Sequence, residues 1–238
     1  GEAGGVRTWS GYLADITASK LNELALARSE AHLKRRNAAL LALVSDGSLF
    51  QGDLEQAVAG ITEATSALIG IERVSVWLYN EDYSEIRCID LFTQSTRQHH
   101  RGATLRSGEF PAYAASHLKG EIVSATDVHA DPRTRGIPSA YYEEHGIRSL
   151  MDVPVWRQNR IGGLLSLEHV GTQRIWTIEE ESVGTNMAAL LSLCFESNER
   201  KQAEAALRVS EEKLRAIFTN APIGIFRSTF AGRLVEGN

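Results

Sequence analysis

The side chains able to do chemistry lie on apolar, strand-like stretches near the middle of the chain. In "VSVWLY" (residues 74–79), alternation puts Ser75, Trp77 and Tyr79 on one face and Val74, Val76 and Leu78 on the other. In "IRCIDLF" (86–92), the same alternation sets Cys88 beside Asp90. Farther on, Arg148, Leu150, Asp152 and Pro154 share a face, as do Ser166 and Glu168. A sheet face carrying Trp77, Asp90, Arg148 and Asp152 offers a stacking wall and convergent charges, which is how a small-molecule pocket is built. Tyr113, Tyr141 and Tyr142 fall in covering segments and could form a lid. The candidate ligand-binding set is Trp77, Cys88, Asp90, Tyr113, Arg148, Asp152 and Glu168. The same residues have a plainer reading as a structural Arg–Asp pair with packed tyrosines, since buried charges are paired in either case.

Other chemistries find less support. The cysteines, Cys88 and Cys194, form no CxxC, which argues against a disulfide framework or a zinc site. Both read as small buried hydrophobes. A cysteine enzyme would need Cys88 on the pocket face beside Arg148 or a histidine. His99, His100 and His129 read as solvated loop residues, because adjacent residues on an extended chain point apart and do not converge on a metal. No glycine-rich phosphate loop is present, and "IGGLL" reads as a strand that permits close packing.

The elements that must position the candidate set are legible. Asp53 is an N-cap, the apolar residues Leu54, Val58, Ile61 and Leu68 keep helical spacing, and Gly70 is the stop. Residues 72–82 and 84–93 read as one hairpin, and 147–156 and 161–170, joined by "RQNR", as a second. Between them lie a short helix from Pro111 closed by Gly120, a strand at 121–127, and helical turns after Pro132 and Pro138. Thr177 and Glu180 form a capping box for a helix running to about Thr219, ended by Asn220-Ala221-Pro222. This pattern predicts an α+β fold, with terminal helices on one face of an antiparallel sheet.

The chain carries a net charge of −5, and this balance gives no reason to expect a nucleic-acid partner. No apolar run approaches a membrane span. The expectation is a cytoplasmic segment, whether or not the full protein is membrane-anchored.

Residues 20–33 and 201–214 repeat one another at an offset of 181, with seven of fourteen positions identical. Leu26, Leu33 and Leu40 recur every seven residues in the first helix, and Leu207 and Leu214 in the second. Such helices suit a parallel homodimer and connect sensor modules in a modular chain. "NAPIGIF" (220–226) then opens a new unit only a dozen residues before the sequence stops, as expected of a piece cut from a longer protein.

The stretches "RVSVWLYNEDYSEIRCIDLF", "ADPRTR", "GIRSLMDVPVWRQNRIGGLLSLEHVG" and "RIWTIEEESVGTNMAALLSL" together resemble a GAF domain, here residues 47–196. Residues 220–238 resemble the start of a PAS domain, and 1–17 the end of another. Residues 18–46 and 197–219 are then connector helices. The resemblance implies a sheet of about six strands with a ligand pocket under loops, in a bacterial sensor such as a histidine kinase or diguanylate cyclase. It implies a non-catalytic segment that binds an unidentified small molecule, or a dimer scaffold without ligand, beside PAS and output domains. Family members that attach a bilin use a cysteine in the loop that here spans 127–146, which has none. The motif of cyclic-nucleotide-binding members is not found, and no metal is expected.

Overall fold

The computed structural model describes residues 53–220 and 226–237, together with Lys20. Leu26, Leu33, Leu40 and the PAS-like segment at 1–17 lie outside the described residues.

Helix α1 (Leu54–Ile69) starts at Asp53, whose carboxylate accepts the Glu55 N–H at 3.2 Å. It ends at Gly70, where φ is 70°, the left-handed conformation that glycine adopts without penalty. Ala57, Val58, Ile61, Thr65 and Ile69 form its buried stripe.

The strands β1 (Arg73–Tyr79), β2 (Glu85–Thr93), β3 (Gln98–His100), β4 (Thr104–Arg106), β5 (Val123–Ala125), β6 (Ile147–Arg157) and β7 (Arg160–Val170) form one seven-stranded sheet. Its order is β3-β2-β1-β7-β6-β5, with β4 also paired to β2, and every pairing is antiparallel. The β6–β7 hairpin turns on Gln158 and Asn159, both at positive φ (48° and 64°), a geometry whose twist matches the flanking strands. The excursion between β4 and β6 carries helices α2 (Pro111–Leu118) and α3 (Ser139–Glu144).

The last large element, α4 (Ile178–Asn220), is one helix of 43 residues. The expected capping box starts it: the Glu180 N–H donates to Thr177 Oγ1 at 3.2 Å, and the Thr177 N–H donates to Glu180 Oε2 at 3.0 Å. Arg174 joins the two long helices. Its Nη2 donates to the Ile69 carbonyl at 2.8 Å and its Nε to Glu180 at 3.2 Å, which satisfies a carbonyl in the last turn of α1. A separate hairpin pairs β8 (Phe226–Ser228) with β9 (Leu234–Gly237).

Register fixes the two faces of the sheet. Val74 and Val76 stand beside Leu167 and Leu165, which stand beside Met151 and Val153. This face lies under α4: a Cβ built on Gly184 would meet Val153 Cγ2 at 3.0 Å and Met151 Cε at 3.2 Å. Met187, Leu191 and Phe195 complete the layer from the helix side. Burying each such side chain contributes about 1.5–3 kcal/mol. The opposite face carries Trp77, Leu164, Ser166, Glu168, Leu150 and Asp152 in matching register, and α2 and α3 cover it.

Candidate ligand cavity

Between that second face and its covering helices lies a cavity of about 270 Å³. The sheet supplies Trp77, Leu150, Leu164, Ser166 and Glu168, and the cover supplies Phe110, Tyr113, Ile137, Tyr141 and Tyr142. Alternation on β1, β6 and β7 is what brings residues so distant in sequence onto one wall.

The charges around the cavity are paired. Arg73 Nε donates to Glu168 Oε2 at 2.7 Å, and the Tyr141 hydroxyl donates to Glu168 Oε1 at 2.7 Å. Burial is the largest single influence on the Arg73 guanidinium and pulls it down, but the charge and hydrogen bond of Glu168, joined by Tyr141, together outweigh it and hold it above its ordinary value. Burial, and next the Glu168 carboxylate, push the Tyr141 phenol well up. A second group sits beneath α2. The Tyr113 hydroxyl donates to Asp152 Oδ2 at 2.8 Å, and His117 Nε2 lies 3.0 Å from the same oxygen. Both Asp152 and His117 have 0% of their surface exposed. Burial, then the Asp152 charge, raise the Tyr113 phenol well above the usual range. Asp152 is thus the anchor that holds α2 over the cavity.

The expected site residues divide. Trp77, Tyr113 and Glu168 line the cavity, and Asp152 acts on it through Tyr113. Asp90 does not join them. Val76 pairs with Asp90 and Trp77 with Cys88, so Ile89 is an extra residue in β2. The expected shared face of Cys88 and Asp90 is broken there: Cys88 stands opposite Trp77, and Asp90 faces α1. Its cause lies at the sheet edge, where the Cys88 N–H donates to the Ala103 carbonyl at 2.8 Å and the Gly102 N–H donates to the Cys88 carbonyl at 3.0 Å. Arg148 leaves the wall by a similar step. Ile147 pairs with Val170 and Ser149 with His169, so Arg148 is extruded and exposed. The expected grouping of Trp77, Asp90, Arg148 and Asp152 is therefore not the one this fold builds.

Asp90 has its own partners. Thr62 Oγ1 donates to Asp90 Oδ2 at 2.6 Å, and His99 Nδ1 lies 3.0 Å from both carboxylate oxygens. His99 Nε2 lies 3.3 Å from Glu63. His99, expected as a solvated loop residue, is thus on β3 and tied to α1. His100 and His129 are exposed. Burial, then the neighbouring Asp90 charge, push the Cys88 thiol up to about 12, so it stays protonated and is a poor nucleophile. Burial likewise raises the Cys194 thiol.

Sequence reasoning missed Ile86, Leu105, Phe110 and His117. Ser166 was placed beside Glu168 but not in the site. For Phe110, the proline that follows and opens α2 was the available signal.

A family model for the GAF domain matches residues 53–195, more than half of the chain. No curated protein matches the chain by sequence. Among solved structures, the chain is similar to the phycocyanobilin-bound GAF domain from a cyanobacterial phytochrome. The identity is 17%, over 70% of this chain and 96% of that one, with a TM-score of 0.58. It is also similar to bacteriophytochrome RpBphP3 from the photosynthetic bacterium R. palustris, at 16% identity over 80% of this chain and 43% of that one, with a TM-score of 0.60. The Stigmatella aurantiaca phytochrome photosensory core module matches at 12% identity over 78% and 41%, with a TM-score of 0.59. At these identities the likeness is one of fold.

Proposed function

Because the chain belongs to the GAF domain family over residues 53–195, we propose that it is the sensory segment of a signal-transduction protein, in which a small molecule held in the cavity biases the position of α4. The observation that carries this reading is the double duty of β6. Leu150 lines the cavity from one face of that strand, while Met151 and Val153 meet α4 at Gly184 from the other. Two further ties bind the end of β6 to the helix: the Trp156 N–H donates to Ser192 Oγ at 3.0 Å, and Arg157 Nε donates to Glu199 Oε1 at 2.8 Å. A ligand that spreads β6 from α2 and α3 has a short, packed route to α4.

The finer reading extends the segment at both ends. Residues 1–17 and 220–238 are proposed as parts of PAS domains, joined to the GAF domain by the connectors at 18–46 and 197–219. The β8–β9 hairpin favours a new unit after α4. The output is proposed as a histidine kinase or diguanylate cyclase elsewhere in the protein, and the setting as the bacterial cytoplasm. No helix among the described residues is long and apolar enough to cross a membrane. Leu207, Leu214 and Ile217 are exposed on a stretch of α4 where residues 200–217 are all exposed, which favours a parallel homodimer along this helix. The phycocyanobilin bound by the similar GAF domain is not proposed as the ligand of this one. Residues 127–146 have no cysteine for attachment, and 270 Å³ lies below the usual range of ligand cavities, about 300–1,000 Å³.

The test is hydrogen exchange with a compound that raises the melting temperature. A ligand at a hundred times its dissociation constant adds about 2.7 kcal/mol to stability. Protection should change in residues 111–144 and also in 178–199. A ligand that stabilises the domain yet leaves exchange in α4 untouched would defeat the relay. Leu207→Asp with Leu214→Asp should convert a dimer to monomer in sedimentation; a wild-type monomer at micromolar concentration would defeat the dimer.

A further inference from the structure

The cavity lining carries information about what fits it. Among the described residues that line it, none is a lysine, arginine or histidine, so nothing there compensates a phosphate or carboxylate. The single lining carboxylate, Glu168, already holds Arg73 and the Tyr141 hydroxyl. The other lining donors are also engaged. The Tyr113 hydroxyl is given to Asp152, and Trp77 Nε1–H to Ser75 Oγ at 2.8 Å. Ser166 differs: its hydroxyl lines the cavity and has no hydrogen-bond partner among the described residues.

Lining and size narrow the choice further. The sheet side is formed by Trp77, Leu150 and Leu164, and the cover side by Phe110, Tyr113 and Tyr142. Aromatic walls on both sides favour a flat guest. An apolar cavity of roughly 150 Å³ holds a benzene, so one of about 270 Å³ has room for two fused rings. Exposed Ala103 and Pro138 mark the rim through which a guest would enter.

We propose that the cavity takes a neutral, planar, two-ring aromatic molecule with one N–H or hydroxyl group set against Ser166. This assignment rests on the cavity being the sensory site. The class is distinct from the anionic nucleotides and carboxylates, which the lining would leave as uncompensated charges.

The test is isothermal titration of the whole 238-residue chain with indole, 2-naphthol, naphthalene, phenol, indole-3-acetate and cyclic guanosine monophosphate. Indole and 2-naphthol should bind saturably. 2-Naphthol should bind roughly tenfold or more tighter than phenol, because it buries four further ring carbons. Ser166→Ala should weaken indole and 2-naphthol by roughly three- to tenfold, the worth of one hydrogen bond, and leave naphthalene unchanged. Ala103→Trp, at the exposed rim, should block all three while circular dichroism stays that of the wild type. Indole binding that survives both variants would place it elsewhere and overturn the assignment. Phenol or an anion binding more tightly than the two-ring probes, and lost in Ala103→Trp, would overturn the ligand class while upholding the cavity as the sensory site. Absence of binding by every probe would overturn both.

Discussion

Replacing Asp152 by alanine tests whether a buried acceptor holds the cover of the cavity in place. The substitution removes the oxygen that receives the Tyr113 hydroxyl at 2.8 Å and faces His117 Nε2 at 3.0 Å. Each buried donor left stranded costs about 1–3 kcal/mol, so the two together cost about 2–6 kcal/mol. Part of this is offset, because the variant no longer has to desolvate a carboxylate. The offset is real here: Asp152 Oδ1 and His117 Nδ1 are both buried with no hydrogen-bond partner among the described residues. A net loss of about 3 kcal/mol follows, which for a domain of this size lowers the melting temperature by about 6–12 °C. Urea unfolding followed by circular dichroism reads the energy, and hydrogen exchange in α2 reads the location. The triple variant Tyr113→Phe, His117→Leu, Asp152→Leu should recover part of the loss, since donors and acceptor leave together. Asp152→Ala within about 0.5 kcal/mol of wild type, the range of a neutral surface change, would refute the reasoning. So would a triple variant no more stable than the single one.

At Gly184, alanine should be close to neutral, because the helix interior gains about 0.5–1 kcal/mol from losing a glycine while the new Cβ crowds Val153 and Met151. Valine there should cost about 1–3 kcal/mol by overpacking, read as a lowered urea midpoint. Arg174→Ala should cost about 2 kcal/mol, and Arg174→Lys should recover less than half of it, since one ammonium does not serve both the Ile69 carbonyl and Glu180 in the geometry of the guanidinium fork. The Tyr113 and Tyr142 phenols are raised above 10.0 by burial first and by Asp152 next. The unfolded chain therefore loses these protons at lower pH than the native protein. Their contribution to stability is constant below pH 10 and lost above it, at about 1.4 kcal/mol per pH unit for each tyrosine. An ultraviolet titration in which tyrosinate absorbance appears only together with unfolding would agree; free titration near pH 10 in the folded state would not.

Most of the fold is legible in the sequence because its signals are local. Asp53 and Gly70 bracket α1, Thr177 and Glu180 start α4, and two runs of alternation announce the long hairpins. The site is less legible because it depends on where alternation fails. The insertions at Ile89 and Arg148 each move a charged residue off the expected wall. Neither residue looks unusual, since a bulge is set by the partner strand and, at Cys88, by bonds to the loop at 102–103. His117 was missed for a related reason. Its importance comes from Asp152, 35 positions away, which no local pattern connects to it.

The length of α4 has a further consequence. Its first half packs on the sheet, but residues 200–217 are all exposed. A free peptide of that length would be marginally helical in water, because the first turn is costly to nucleate. Here the packed half supplies the nucleus, and the exposed half only propagates from it. Propagation is helped by the alanine-, glutamate- and lysine-rich sequence and by the Arg208–Glu212 pair at 3.5 Å, each worth tenths of a kcal/mol at most. The boundary between helix and coil along this stretch is therefore finely balanced. On the proposed sensory reading, a small change at the packed end, or capture by a second copy at the far end, would shift it, so the segment would carry a message as a change in helical content as well as by tilting.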